Sequence, residues 1–298
     1  MIRTTFLSTH MGATQRLMER SAAADRASAR LSSGRAFSRA SEDPGAATTA
    51  LTLRGELAAL KAYQTTGEEA QSRLDVADGA LNDVSSLVGR LKELTVAAST
   101  ATMNAEGRAA SAQEIGQIRD QLASLANTQH LGQPIFAGFG AGNAVAKTGA
   151  PATWTFTGNA SEKIMRSVSD SDTVQVNVTA GEVFQAGASD AFTMLDQLVA
   201  DLNAGNTTGI RGAVDTMDAL RTSVSTARAR IGAATNRVEN VLAGNRARQT
   251  TVQADLSKAE DVDLTEAITD VNRQQAAYQA ALGATAKSLQ QSLVDFLR

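Results

Sequence analysis

The sequence predicts a mainly α-helical fold: an elongated antiparallel helical bundle or coiled coil formed by the N- and C-terminal segments, with a small β-rich domain inserted between them. Three observations carry this. Pro44, Pro134 and Pro151 are the only prolines among 298 residues, so two long proline-free tracts flank a middle rich in Gly, Thr and Ser. Apolar residues in both tracts recur at alternating steps of three and four, the spacing that gathers them on one helix face. With 8 Phe, 2 Tyr and 1 Trp, the core has to come from Ala, Leu, Val and Ile, whose small volume suits close helix packing.

The first tract carries Leu17, Ala24 and Leu31 seven apart and stops at Gly34, a residue suited to the left-handed turn just past a helix end. Asp43-Pro44 reads as N-cap and first residue of the next helix. That helix presents Leu74, Ala77, Leu81, Val84, Val88, Leu91, Thr95 and Ala98 as one stripe. Met103-Asn104-Ala105-Glu106-Gly107 interrupts it, and Ile115, Ile118, Leu122 and Leu125 form the face of another helix. In the middle, Thr153-Trp154-Thr155-Phe156-Thr157 and Thr173–Val178 alternate apolar with polar in β-branched and aromatic residues, as strands do. Lys163–Val168 supplies a further short strand, bounded by turns at Gly158-Asn159 and Ser169–Asp172.

The return tract repeats the helical spacing at Met217, Leu220, Val224, Ala227, Ile231, Ala234, Val238 and Val241, and extends back to Val214 and Ile210. The last tract does so at Leu264, Ile268, Val271, Gln275, Tyr278, Leu282, Thr285, Leu289 and Ser292, finishing on Leu293 and Phe296. A helix over that span is roughly 50 Å long with one narrow apolar stripe, and alone it is marginal. Residues 1–43 and 257–298 are therefore read as terminal helices ordered on assembly, 44–135 and 190–256 as a helical rod, and 136–189 as a small β-rich outer domain.

Little in the chain points to chemistry. The net charge of −3 argues against a broad nucleic-acid-binding face, and no run reaches the ~18–20 apolar residues of a membrane span. The first ten residues lack the apolar core of a secretory signal. The absence of Cys removes disulfides and thiolate sites. His10 and His130 lie far apart with no metal-ligand spacing. Gly138-Phe139-Gly140-Ala141-Gly142 follows no strong strand and opens no amphipathic helix, so it reads as a junction and not as a phosphate cradle. Glu42-Asp43 and Glu68-Glu69 read as a cap and a solvated face. Arg221, Arg228, Arg230, Arg237, Arg246 and Arg248 are interleaved with acids and lack aromatic neighbours, which favours a solvated face or intersubunit ion pairs. No catalytic residue, cofactor or metal is assigned; an enzyme using the Gly-rich centre and His130 is the remote alternative.

Leu31-Ser32-Ser33-Gly34-Arg35-Ala36-Phe37-Ser38-Arg39-Ala40-Ser41-Glu42-Asp43-Pro44 resembles the N-terminal signature of the flagellin superfamily, with Ala36, Phe37 and Glu42 as mild departures. Leu125-Ala126-Asn127-Thr128 with Ile135-Phe136-Ala137-Gly138 is similar to its helix and following turn. Arg228–Glu239, Glu260–Ile268 and Gln274–Ala281 resemble its return and terminal helices; only about 140 to 190 is weakly matched. Asp261-Val262-Asp263, Ala267-Ile268-Thr269, the ending Ser292–Leu297 and the Trp154 segment look closer to the hook-filament junction branch than to filament flagellin, which stays the alternative.

The resemblance implies a structural adaptor of the extracellular flagellum, exported unfolded through the flagellum-specific type III channel. Implied partners are the first hook-associated protein, flagellin, sister copies in a tubular layer, and an export chaperone. Leu31, Ile268, Val271, Tyr278, Leu282, Leu289 and Leu293 are the expected assembly contacts.

Overall fold

The computed structural model describes residues 2–100, 103–140, 142–149, 153–156, 162–186 and 188–296, and their side chains except at 2–10, 186 and 288–296. Five long helices dominate: α1 Ile2–Ser33, α2 Pro44–Ala98, α3 Ala105–Ala126, α6 Thr207–Glu260 and α7 Leu264–Phe296. Between α3 and α6 come strands β1 Gln129–His130, β2 Gln133–Pro134, β3 Val145–Thr148, β4 Thr153–Phe156, β5 Met165–Ser167 and β6 Thr173–Gln175. They are followed by α4 Ala180–Val183, β7 Gln185–Ala186, β8 Ser189–Asp190 and α5 Ala191–Ala204. Where the sequence suggests three segments, the structure divides into two compact units, 1–59 with 248–298 and 60–247.

Local chemistry sets the helix ends. Gly34 takes φ +68° and donates its N–H to the Arg30 carbonyl at 3.0 Å, closing α1 in the left-handed turn its sequence position predicts. Asp43 Oδ1 accepts from Ala46 N at 2.9 Å ahead of Pro44. Asn104 accepts from Gly107 N to start α3, and Asp263 accepts from Thr265 N and Glu266 N to start α7. Those last two N–H donors hold the Asp263 carboxyl below the usual aspartate range.

The 60–247 unit owns one continuous core. Leu74, Leu81, Val84, Val88 and Leu91 of α2 are fully buried, as are Ile115 and Leu122 of α3 and Met217, Leu220, Val224 and Val238 of α6. Leu242 turns inward where the sequence pattern continued on Val241, which is only partly buried. Ion pairs from Lys92–Asp218 through Arg228–Asp78 to Arg246–Glu68 climb one helix as they descend the other, so α2 and α6 run antiparallel within this unit. Gly67 lets them close up: a Cβ there would lie 2.6 Å from Leu242 Cδ2.

Among the described residues, the central segment is four two-stranded antiparallel hairpins and not one sheet. β4 pairs with β3, a strand the sequence pattern did not reveal. β6 stops at Gln175, short of the expected Val178, because the Asn177 side chain replaces the ladder: its Oδ1 accepts from Ile164 N at 2.7 Å and its Nδ2 donates to Glu162 O at 2.8 Å. The predicted Gly158-Asn159 turn lies outside the described residues. Phe136, Phe184 and Phe192 form an aromatic joint at 5.4–6.4 Å between ring centres, with Phe156 edge-on to Phe192 and Trp154 tilted against it, and this binds the hairpins into the same core. Ile135-Phe136-Ala137 is fully buried, so the Gly-rich loop leaves from an anchored point.

Candidate assembly interface

The other unit is built from α1, α7 and the adjoining ends of α2 and α6. α1 packs on α7, and an antiparallel bridge between Arg35 and Asp261 joins their near ends, with Ala36 N donating to Glu260 O and Val262 N to Gly34 O. The helices therefore run antiparallel. Among the described residues, Ala27, Ala50, Val252, Ala267 and Val271 are its only buried apolar side chains. Burying a Val is worth ~1.5–3 kcal/mol, while fixing each residue's backbone costs ~1–2 kcal/mol, so a unit of about a hundred residues is poorly supported by its own apolar burial.

The seam read from the sequence splits into two rows. Ala267, Val271, Tyr278 and Thr285 turn inward, Val271 to 9% exposure, whereas Leu264, Ile268 and Leu282 stay open at 58%, 50% and 40%. Val271, expected to meet a sister copy, is instead covered by its own chain. A three-and-four spacing fills a band wide enough for two neighbours, and the chain's own packing takes one edge of it. Leu31 and Tyr278 are half-buried. The side chains of Leu289 and Leu293 lie outside the described residues.

The open row has a counterpart on α1. Met11 and Met18, two turns apart, are 63% and 72% exposed. At 3.6 residues per turn they stand to one flank of the inward row of Leu17, Ala24 and Leu31, and Leu264, Ile268 and Leu282 stand to one flank of theirs. Because the helices are antiparallel, both flanks open to the same side. The opposite flank carries Arg16, Glu19, Arg30, Glu266, Asp270 and Arg273, and the Arg30 charge reaches Asp270 across it. Hydrogen bonds from Arg273 and Gln274 hold the Asp270 carboxyl below its ordinary range. The two-helix pair thus has one charged side and one mainly apolar side, on which Asp25 continues the row of Met11 and Met18 and Gln275 stands between Ile268 and Leu282.

Beside it, Arg35, Phe37, Ala47, Leu51, Arg54 and Glu260 line a cavity of about 260 Å³. Glu260 is buried and accepts from Arg54 Nη2 at 2.7 Å. The six arginines of the return tract are paired within their own units, for example Arg230 with Glu182 at 2.6 Å and Arg248 with Glu56 at 2.7 Å.

Two family models match this chain: the bacterial flagellin N-terminal helical region over residues 6–141 and the bacterial flagellin C-terminal helical region over 214–297, together well over half of it. Flagellar hook-associated protein 3 of Escherichia coli is 29% identical over 84% of this chain and 86% of its own. A flagellin of Halalkalibacterium halodurans is 24% identical over 90% of each. The crystal structure of flagellar hook-associated protein 3 from Legionella pneumophila shares the fold, with a TM-score of 0.64 at 15% identity over 70% of this chain and 98% of that one.

Proposed function

We propose, because this chain belongs to the bacterial flagellin family, that it is a structural adaptor of the flagellum, joining the hook-associated protein layer to the flagellin filament. Its role is mechanical and not catalytic. One observation carries the reading: among the described residues, the unit of α1 and α7 buries five apolar side chains and leaves Met11, Met18, Leu264, Ile268 and Leu282 open on a single side. Sister copies cover that side, so ordering of the terminal helices is coupled to assembly. Head-to-tail contacts between identical chains propagate into a tubular layer. The layer sits on the first hook-associated protein and offers flagellin a surface like its own. Before export, a chaperone shields the open row.

The junction station is supported by the C-terminal motifs and by the hook-associated relative in Escherichia coli. Filament flagellin is the competing station, favoured by the Halalkalibacterium halodurans relative that matches 90% of each chain. Fluorescent labelling on intact flagella separates them. A single focus at the hook tip is expected, with unattached filament shed by a deletion strain; signal along the whole filament, or a deletion strain with normally attached filaments, overturns the adaptor reading.

A further inference from the structure

With no Cys and seven Met, the chain's most readily oxidised side-chain atoms are thioether sulfurs. Met194 and Met217 are buried and Met103 half-buried, while Met165 on β5 is 50% exposed. Met11 and Met18 are the most open of the described methionines, and they share a side with Leu264, Ile268 and Leu282. A sulfur at each of two successive contact positions gives that side a chemistry that Leu would not.

We propose that Met11 and Met18 form a sulfoxidation site that controls whether a free chain can dock. Hydrogen peroxide is the oxidant: the thioether sulfur attacks one peroxide oxygen, the O–O bond breaks, an S=O bond forms, and the other oxygen leaves as water. Sulfur loses two electrons and peroxide gains them. The product is a polar, chiral group on a side that must be buried against another chain. Burying a sulfoxide without a hydrogen-bond partner is unfavourable, so docking weakens about tenfold for each one, or ~1.4 kcal/mol. Covered in the layer, the same sulfurs are beyond the oxidant's reach, and the modification acts on unincorporated chains only.

This inference rests on the docking reading above, and the test keeps the two apart. Full-length chain, untreated or treated with peroxide, is bound to hook-basal bodies isolated from a strain lacking it, and the bound fraction is measured beside peptide mass spectrometry. Expected are a 16 Da gain at Met11 and Met18 well ahead of Met194 and Met217, binding affinity reduced about a hundredfold when both are oxidised, and recovery after methionine sulfoxide reductases A and B. An M11L/M18L chain, which still oxidises at Met165, should bind equally with and without peroxide. Undiminished binding of the oxidised natural chain overturns the proposal, as does equal loss in the oxidised double variant. Failure of the untreated chain to bind removes the docking reading itself, and this inference with it.

Discussion

Single residues decide the strength of the joints. Glu260 is a buried carboxylate whose salt-bridge partner, Arg54, remains about half exposed. Arg54→Ala leaves that charge inside without its guanidinium, at a cost of about 1–3 kcal/mol. Thermal unfolding should show the loss, and Glu260→Gln in the same background should recover part of it. At the other unit's surface, burial acts to raise the Asp120 carboxyl, but hydrogen bonds from Arg119 and Trp154 and the charges of Arg119 and Lys147 outweigh it, so it titrates below the ordinary aspartate value. A depressed folded-state value means the stabilisation is present above the unfolded aspartate range near ~3.9 and is lost as pH falls through the lower, folded value. Since Trp154 is the only tryptophan, its fluorescence should hold steady from pH 7 to 5 and change only in stronger acid, with the step flattened in Asp120→Asn.

At the scale of elements, the α2–α6 pair in the 60–247 unit depends on a missing side chain. Gly67→Ala drives a methyl into Leu242, itself buried, and should destabilise by about 1–3 kcal/mol, read as a lower midpoint in urea with the slope unchanged. Helix ends were legible in the sequence where caps are local: Gly34 and Asp43-Pro44 need only their neighbours to act, and the break at Met103–Gly107 marked where Asn104 caps α3. β3 was not, since Val145–Thr148 becomes a strand only through β4, and α5 was not, since its short stripe borders the β segment. The Phe136, Phe184 and Phe192 joint unites residues more than fifty positions apart, which no local pattern reveals. In α7 the seam itself was visible, but not the fact that its own chain covers Val271 and leaves Ile268 half exposed. Spacing fixes a face; it does not name the partner that covers it.

For the whole molecule, the contrast between the units is the substance of the account. One has a continuous apolar core reinforced by ion pairs; the other, among its described residues, holds long helices together with a few small buried side chains. The first is expected to fold in the isolated chain, and the second to order when sister copies close over its apolar side. Hydrogen–deuterium exchange on the verified monomer and on the chain seated on hook-basal bodies tests this most directly. The account predicts fast exchange across residues 11–33 and 264–287 in the monomer, slow exchange at residues 74–91 and 217–242, and strong protection of both terminal stretches once seated. Terminal stretches as protected in the monomer as the 60–247 core would contradict it.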